Sequence, residues 1–284
     1  MKVKIIVDST SDFSDELRQQ LDMVPLTVYF GEEAYLDGVE MDHRGFYEKL
    51  ASSDVLPTTS QATPYAFQQV FSQAVAQGFE VVAVTISGKL SGTYQSACIA
   101  AEEFPGKVFV VDSGSVSIGS GILVEYAEQL AQQGLPAAEI AEKLTEKRGD
   151  IRVIALLDTL EYLQKGGRIS KTVAFAGGLL SIKPIICIAD GEISLIGKIR
   201  GSKQGASALV SEIEKLGGAD FSMPIQLGYT GLNDGLMKKY AEDSRQWWGS
   251  ALQEMPSTGI GSVVGTHAGP GAVGWAFFRK HETK

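Results

Sequence analysis

The sequence predicts an α/β fold in two domains, an N-terminal three-layer α/β domain built on a parallel sheet and a C-terminal α+β domain. Three observations predict it. Apolar, β-branched runs alternate with helix-like runs through the first half, the pattern of a parallel sheet covered on both faces. The second half changes character, with two strand-like runs flanking Asp190-Gly191, a strong two-residue hairpin signal. Between strand-like and helix-like runs stand short loops rich in serine and threonine. In an open parallel sheet such loops line one crevice at the carboxyl ends of the strands.

The elements follow in order. Lys2–Val7 reads as a buried strand, 14–20 as a short helix capped by Ser11 or Ser14, and 23–30 as a second strand. A helix is expected over 42–52 with Asp42 near its N-terminus. Thr63-Pro64 opens another, with threonine at the cap and proline in the first turn. Then come a strand at 81–86, a helix at 93–103, a strand at 108–111 and helices at 118–133 and 136–147. A boundary near Gly149-Asp150 divides the chain into domains 1–150 and 151–284. Beyond it, strands are expected at 185–189 and 193–199, an amphipathic helix at 202–216, a strand at 225–230 and a helix at 232–247. Ser262–Gly265 and 273–278 read as closing strands.

Composition narrows the function. The chain has 284 residues, 44% hydrophobic, enough for a sizeable core. A formal net charge of −9 argues against nucleic-acid binding, which needs a basic footprint. Two distant cysteines, Cys98 and Cys187, form no C-x-x-C pair, which fits a reducing, cytoplasmic setting. No apolar run approaches the ~18 residues of a membrane span. The short apolar N-terminal stretch stops at Asp8 with no cleavage site, so no signal peptide is expected. No His/Cys/Asp/Glu cluster has metal-ligand spacing. Gly269-Pro270-Gly271-Ala272-Val273-Gly274 matches G-x-G-x-x-G in form only, since too little chain follows for a dinucleotide fold. Neither a metal nor a cofactor is expected.

Three features could carry chemistry. Thr58-Thr59-Ser60-Gln61 and Ser87-Gly88-Lys89-Leu90-Ser91-Gly92-Thr93 each precede a helix. Hydroxyls there either cap the helix or, with its free N–H groups, perch an anion. His267 lies among glycines in Gly265–Gly271, as a backbone-bonded loop residue or as part of a site. Arg168 and Arg200 stand beside small residues, as surface charge or as phosphoryl-recognising forks.

With these segments assembled, the chain resembles the DegV family of bacterial fatty-acid-binding proteins over essentially its whole length. The resemblance rests on Val7-Asp8-Ser9-Thr10, Pro57–Gln61, Ser87–Thr93, Val111-Asp112-Ser113, Gly166-Gly167-Arg168-Ile169, Arg200–Lys203 and His267–Gly271, in that order. It implies a long-chain fatty acid in a tunnel between the two domains. It implies a carboxylate held by hydroxyls matching Thr59 and Ser91, with Gly92 and His267 beside them. It further implies that this chain is the non-catalytic, lipid-presenting subunit of a fatty acid kinase feeding phospholipid synthesis. A separate ATP-binding subunit would make the acyl phosphate, with Arg168 and Arg200 supporting that partner. Two other readings stay open. One is a stand-alone hydrolase or acyltransferase with Ser91 as nucleophile, His267 as base and Asp8 or Asp112 as orienting acid. The other is a small-anion or phosphosugar binder, which needs a pocket that is polar throughout.

Overall fold

The computed structural model describes residues 2–170, 182–253 and 256–280. Four parallel strands form the first sheet, in the order Asp22–Val24, Lys2–Asp8, Phe79–Thr85, Val108–Asp112. The strand pleat sends alternate side chains to opposite faces. Ile6, Val81 and Ala83 therefore pack with Phe67, Phe71, Ala97 and Ala100 from the helices Pro64–Ala76 and Thr93–Ala101. Ile5, Val7, Val82 and Val84 pack with Ile122, Ala127, Ile140 and Leu144 from the helices Ile118–Gln132 and Ala137–Lys147. These are the three layers that the alternation predicts.

From Ile151 onward the strands enter a six-stranded mixed sheet. Its order is Glu192–Arg200, Ile182–Ala189, Ile151–Leu156, Val273–Phe278, Gln226–Tyr229, Ser257–Gly259. One face carries Val153, Ala155, Ile186, Ile188 and Ala276 toward the helix Ile118–Gln132. The other carries Ile154, Ile185, Trp275 and Phe277 toward Leu209, Ile213, Tyr240 and Trp248. The helix Ile118–Gln132 is buried without a break from Ile118 to Val124, because it lies between the two sheets. A third, antiparallel sheet joins Glu33–Leu36, Thr27–Phe30 and Thr58–Ser60.

Local signals and structure agree at several starts. Asp42 accepts the Gly45 N–H at 2.7 Å, and Thr63 accepts the Ala66 N–H at 3.2 Å ahead of Pro64. Asp190 and Gly191 take φ of 50° and 76°, the paired positive values of a type I′ turn.

Three expectations are corrected. Ser262–Gly265 is not a strand: Ser262–Ala268 is a helix, and the strand reading followed the β-branched Val263-Val264. Two carboxylates distant in sequence decide it, since Asp12 accepts the Gly261 N–H and Asp37 the Ser262 N–H, both at 3.0 Å. The strand expected over 23–30 breaks at Pro25, which has no N–H to donate. Its first part joins the parallel sheet and its second the small sheet. The helix expected over 232–247 divides into Gly235–Asp243 and Arg245–Trp248.

The hairpin tip ties the sheets together: Gly191 N–H donates to Gly114 O at 2.6 Å, and a Cβ on Gly191 would stand 2.2 Å from Ser87 Oγ. Gly191→Ala therefore combines a left-handed backbone with an overlap, and we expect a loss of roughly 2–3 kcal/mol in denaturant unfolding. Gly31→Ala shares the positive φ but meets open space, so about 1 kcal/mol is expected there. Equal losses at the two positions would refute the docking contact as the cause.

Candidate functional site

The polar part of the site is assembled from three distant segments. Thr59 sits on the strand Thr58–Ser60, in register with Val28. Its hydroxyl lies 3.0 Å from His267 Nε2. His267 is not in a loop; it occupies the last turn of the helix Ser262–Ala268. Its Nδ1 is buried and has no hydrogen-bond partner. Gly166 makes room for that ring, because a Cβ there would fall 2.2 Å from Nδ1.

Arg168 reaches across from the same segment. Its guanidinium donates to Gly166 O at 2.7 Å and to Leu90 O at 3.3 Å, closing the gap to the Ser87–Thr93 loop. In that loop Ser91 Oγ lies 2.9 Å from Thr93 Oγ1 and accepts the Thr93 N–H at 3.2 Å. Thr93 Oγ1 in turn accepts the Ala62 N–H, tying the two hydroxyl loops together. The Gln61 amide donates to Ser96 Oγ at 3.0 Å and passes over Gly92, where a Cβ would meet Gln61 Oε1 at 2.1 Å.

Thr59, Ser60, Gln61, Ser91, Arg168 and His267 line one cavity. Its remaining wall is mainly aliphatic, with Ile118, Val153, Ala155, Ile186 and Ile188 facing Ile86 and Leu90. The free volume is about 100 Å³. That is less than the ~300–1,000 Å³ of ordinary ligand pockets, and its lining is almost wholly apolar away from the hydroxyl cluster. The structure thus gathers Thr59, Ser91, Arg168 and His267. Gly92 is exposed beneath Gln61 and is not part of the wall. Arg200 ends the outer strand Glu192–Arg200, exposed and outside the cavity. Gln61 and Gly166 were not singled out from the sequence; Gln61 was visible in its motif, whereas the need for glycine at 166 arises only from the packed imidazole.

Burial, reinforced by the charge of Arg168, pushes the His267 imidazole down to about 4. Near neutral pH the cavity therefore presents hydroxyls, a neutral imidazole and one guanidinium, groups that can hold an anionic oxygen head. Among the described residues a catalytic triad does not form. Ser91 pairs with Thr93 rather than with His267, and no carboxylate orients His267 Nδ1. Asp8 is occupied by Thr10 and the Ile86 N–H, and Asp112 by the Gly114 N–H and Arg148. A phosphosugar site is likewise disfavoured by the aliphatic wall. Among the described residues no group of three His, Cys, Asp or Glu is placed to hold a metal, and no helix is long and apolar enough to cross a membrane.

Comparison with known proteins agrees with this layout. A family model described as "Uncharacterised protein, DegV family" matches residues 2–280. A DegV domain-containing protein of Deinococcus radiodurans is 36% identical over 282 residues, covering 97% of this chain and 98% of that one. The structure of a DegV family protein from Thermus thermophilus, described for its fatty acid binding, superposes with a TM-score of 0.87 at 32% identity, covering 99% of this chain and all of that one. That of a stearic acid-binding protein from Eubacterium ventriosum superposes with a TM-score of 0.85 at 29% identity and the same coverage.

The depressed His267 has a measurable consequence. In the unfolded chain a histidine titrates near 6.5, so below that pH the unfolded state takes up a proton that the folded state refuses. Stability is lost progressively as pH falls from about 6.5 to about 4, on the order of 3 kcal/mol in full. Urea unfolding at pH 7 and pH 4 should show the wild type losing that much more than His267→Gln. Parallel losses in the two proteins would contradict a buried neutral imidazole.

Proposed function

The chain belongs to the DegV family, and on that premise we propose that it binds one long-chain fatty acid, between a unit of residues 1–150 and one of residues 151–284. The observation that carries this reading is an aliphatic cavity bearing a hydroxyl–imidazole cluster. Relatives described for fatty acid and stearic acid binding support it. Thr59 and Ser91 hold the carboxylate through their hydroxyls, with His267 beside them. Arg168 biases the head toward an anion.

The energetics divide between tail and head. Each buried methylene contributes about 0.8 kcal/mol, so some fifteen give on the order of 12 kcal/mol before association costs. The tail supplies affinity, and the head group fixes orientation. Held by neutral hydroxyls rather than neutralised by a close ion pair, the carboxylate keeps its nucleophilic character. It can then accept a phosphoryl group from an outside donor, whose bound metal and cationic groups would stabilise the transition state. We therefore assign the chain to the presenting side of a fatty acid kinase pair, with Arg168 and Arg200 as contacts to the ATP-binding subunit.

Calorimetry should find palmitate bound more tightly than hexadecanol, since only palmitate presents a carboxylate. Thr59→Val and Ser91→Ala should each weaken palmitate by about 1–2 kcal/mol, roughly 5–30-fold, and leave hexadecanol nearly unchanged. Equal weakening of both ligands would remove these hydroxyls from the head-group role. For the kinase step, hydroxylamine trapping should yield a hydroxamate only when ATP, palmitate and a separate kinase subunit are all present. Arg200→Ala should slow that reaction without changing palmitate affinity; acyl phosphate formed by this chain alone would overturn the assignment.

A further inference from the structure

The edge of the His267 ring that faces away from Thr59 is held by no hydrogen bond. Nε2 lies 3.0 Å from the Thr59 hydroxyl, whereas Nδ1 is buried and has no partner. On that side the ring is placed by fit alone. The fit is made by the short helix Glu161–Lys165 and the glycine that ends it. A Cβ on Gly166 would stand 2.2 Å from Nδ1 and 2.8 Å from Cε1, far inside van der Waals contact. The imidazole thus fills the space that a side chain would take. The fit is also reciprocal. Tyr162, on the same short helix, lays its ring over Gly269, where a Cβ would fall 2.3 Å from Cδ2. Each of the two helices ends in a glycine that receives a ring from the other.

Backbone conformation does not call for glycine at 166. Its φ of −73° and ψ of −9° are values that any residue adopts. Gly167 is the opposite case, with φ 72° and open space around it. The demand at 166 is therefore for room, and the imidazole uses that room. The turn has little freedom to back away. The Gly166 carbonyl accepts the Arg168 guanidinium at 2.7 Å, and the same guanidinium is tied to Leu90 O at 3.3 Å. A Cβ at 166 would press the ring toward Thr59, where Nε2 already stands at hydrogen-bonding distance. The ring would have to swing off the hydroxyl.

We propose that Gly166 is a positioning residue for the head group of the bound acid, acting through His267 by seating its ring against Thr59. This rests on the head-group role given above to Thr59, Ser91 and His267. Gly166 itself is not part of the cavity wall, so its influence on a ligand passes through the imidazole.

The test is a double-mutant cycle on the full chain, Gly166→Ala with His267→Ala, read by calorimetry with palmitate and with hexadecanol. Gly166→Ala alone should weaken palmitate roughly 5–10-fold and leave hexadecanol nearly unchanged. In the His267→Ala background the same substitution should change palmitate affinity by less than about twofold, because the ring it would strike is gone. The contact of the added Cβ with Tyr162 O, at 3.1 Å, is common to both backgrounds and cancels. Imidazole NMR gives a readout that needs no ligand. In the wild type the His267 ring, pushed down to about 4 by burial and by Arg168, should stay neutral at pH 5. In Gly166→Ala it should titrate nearer the ~6.5 of a free histidine. Unchanged palmitate affinity in Gly166→Ala, equal losses of palmitate and hexadecanol, an equal loss in both backgrounds or an unmoved His267 titration would each overturn the proposal. If Gly166→Ala does not fold, recovery of folding in the double variant supports the clash with the ring, and no recovery overturns it. A wild type that binds no palmitate sinks the fatty acid reading and this proposal with it; a wild type that binds palmitate while Gly166→Ala loses nothing sinks this proposal alone.

Discussion

One helix shared by two sheets is the constraint on which the rest depends. The parallel sheet and the mixed sheet both bury a face against Ile118–Gln132. The helix comes close enough only because of its glycines: a Cβ on Gly121 would stand 2.0 Å from Asp12 O, and one on Gly119 would stand 2.5 Å from Val153 Cγ2. The helix starts at Ile118, directly after Ser117. The aliphatic cavity starts there, lined by those two residues and by Val153, Ala155 and Ile186. Ser117 takes φ 60° to make that start, and it is held by its N–H to Thr10 O and its hydroxyl to Asp12.

The polar cluster is positioned by the same arrangement. Thr59 arrives from the small sheet, Ser91 from the loop after the strand Phe79–Thr85, and Arg168 and His267 from the second half of the chain. Thr59 meets His267 and Arg168 meets Leu90 across the two halves, so the cluster exists only when they dock. The short helix Ser262–Ala268 is the common member. Buried carboxylates from the first half cap its start, and its end presents the imidazole to Thr59. A seven-residue helix is too short to be stable alone; its place is set by what grips its two ends.

Much of this was legible in the chain, and the exceptions are physical. Thr63-Pro64, Asp42 and Asp190-Gly191 could be read because capping and turn chemistry are local. Thr59, Ser91, Arg168 and His267 could be chosen because hydroxyls, an imidazole and a guanidinium set among small residues stand out along the chain, and the cavity does gather them. The helix Ser262–Ala268 could not be read, since two β-branched residues mimic a strand and the capping carboxylates lie more than two hundred residues away. Gly92 and Arg200 carry motif signals yet lie outside the wall, because motif adjacency does not determine which way a loop or a strand end faces.

We propose that the aliphatic cavity holds one long-chain fatty acid. Native mass spectrometry of the purified protein, before and after incubation with a mixture of fatty acids, tests it most directly. The expected result is a one-to-one complex whose added mass, released on denaturation, is that of a long-chain fatty acid. A protein that stays at its bare mass and takes up no fatty acid from the mixture would contradict it.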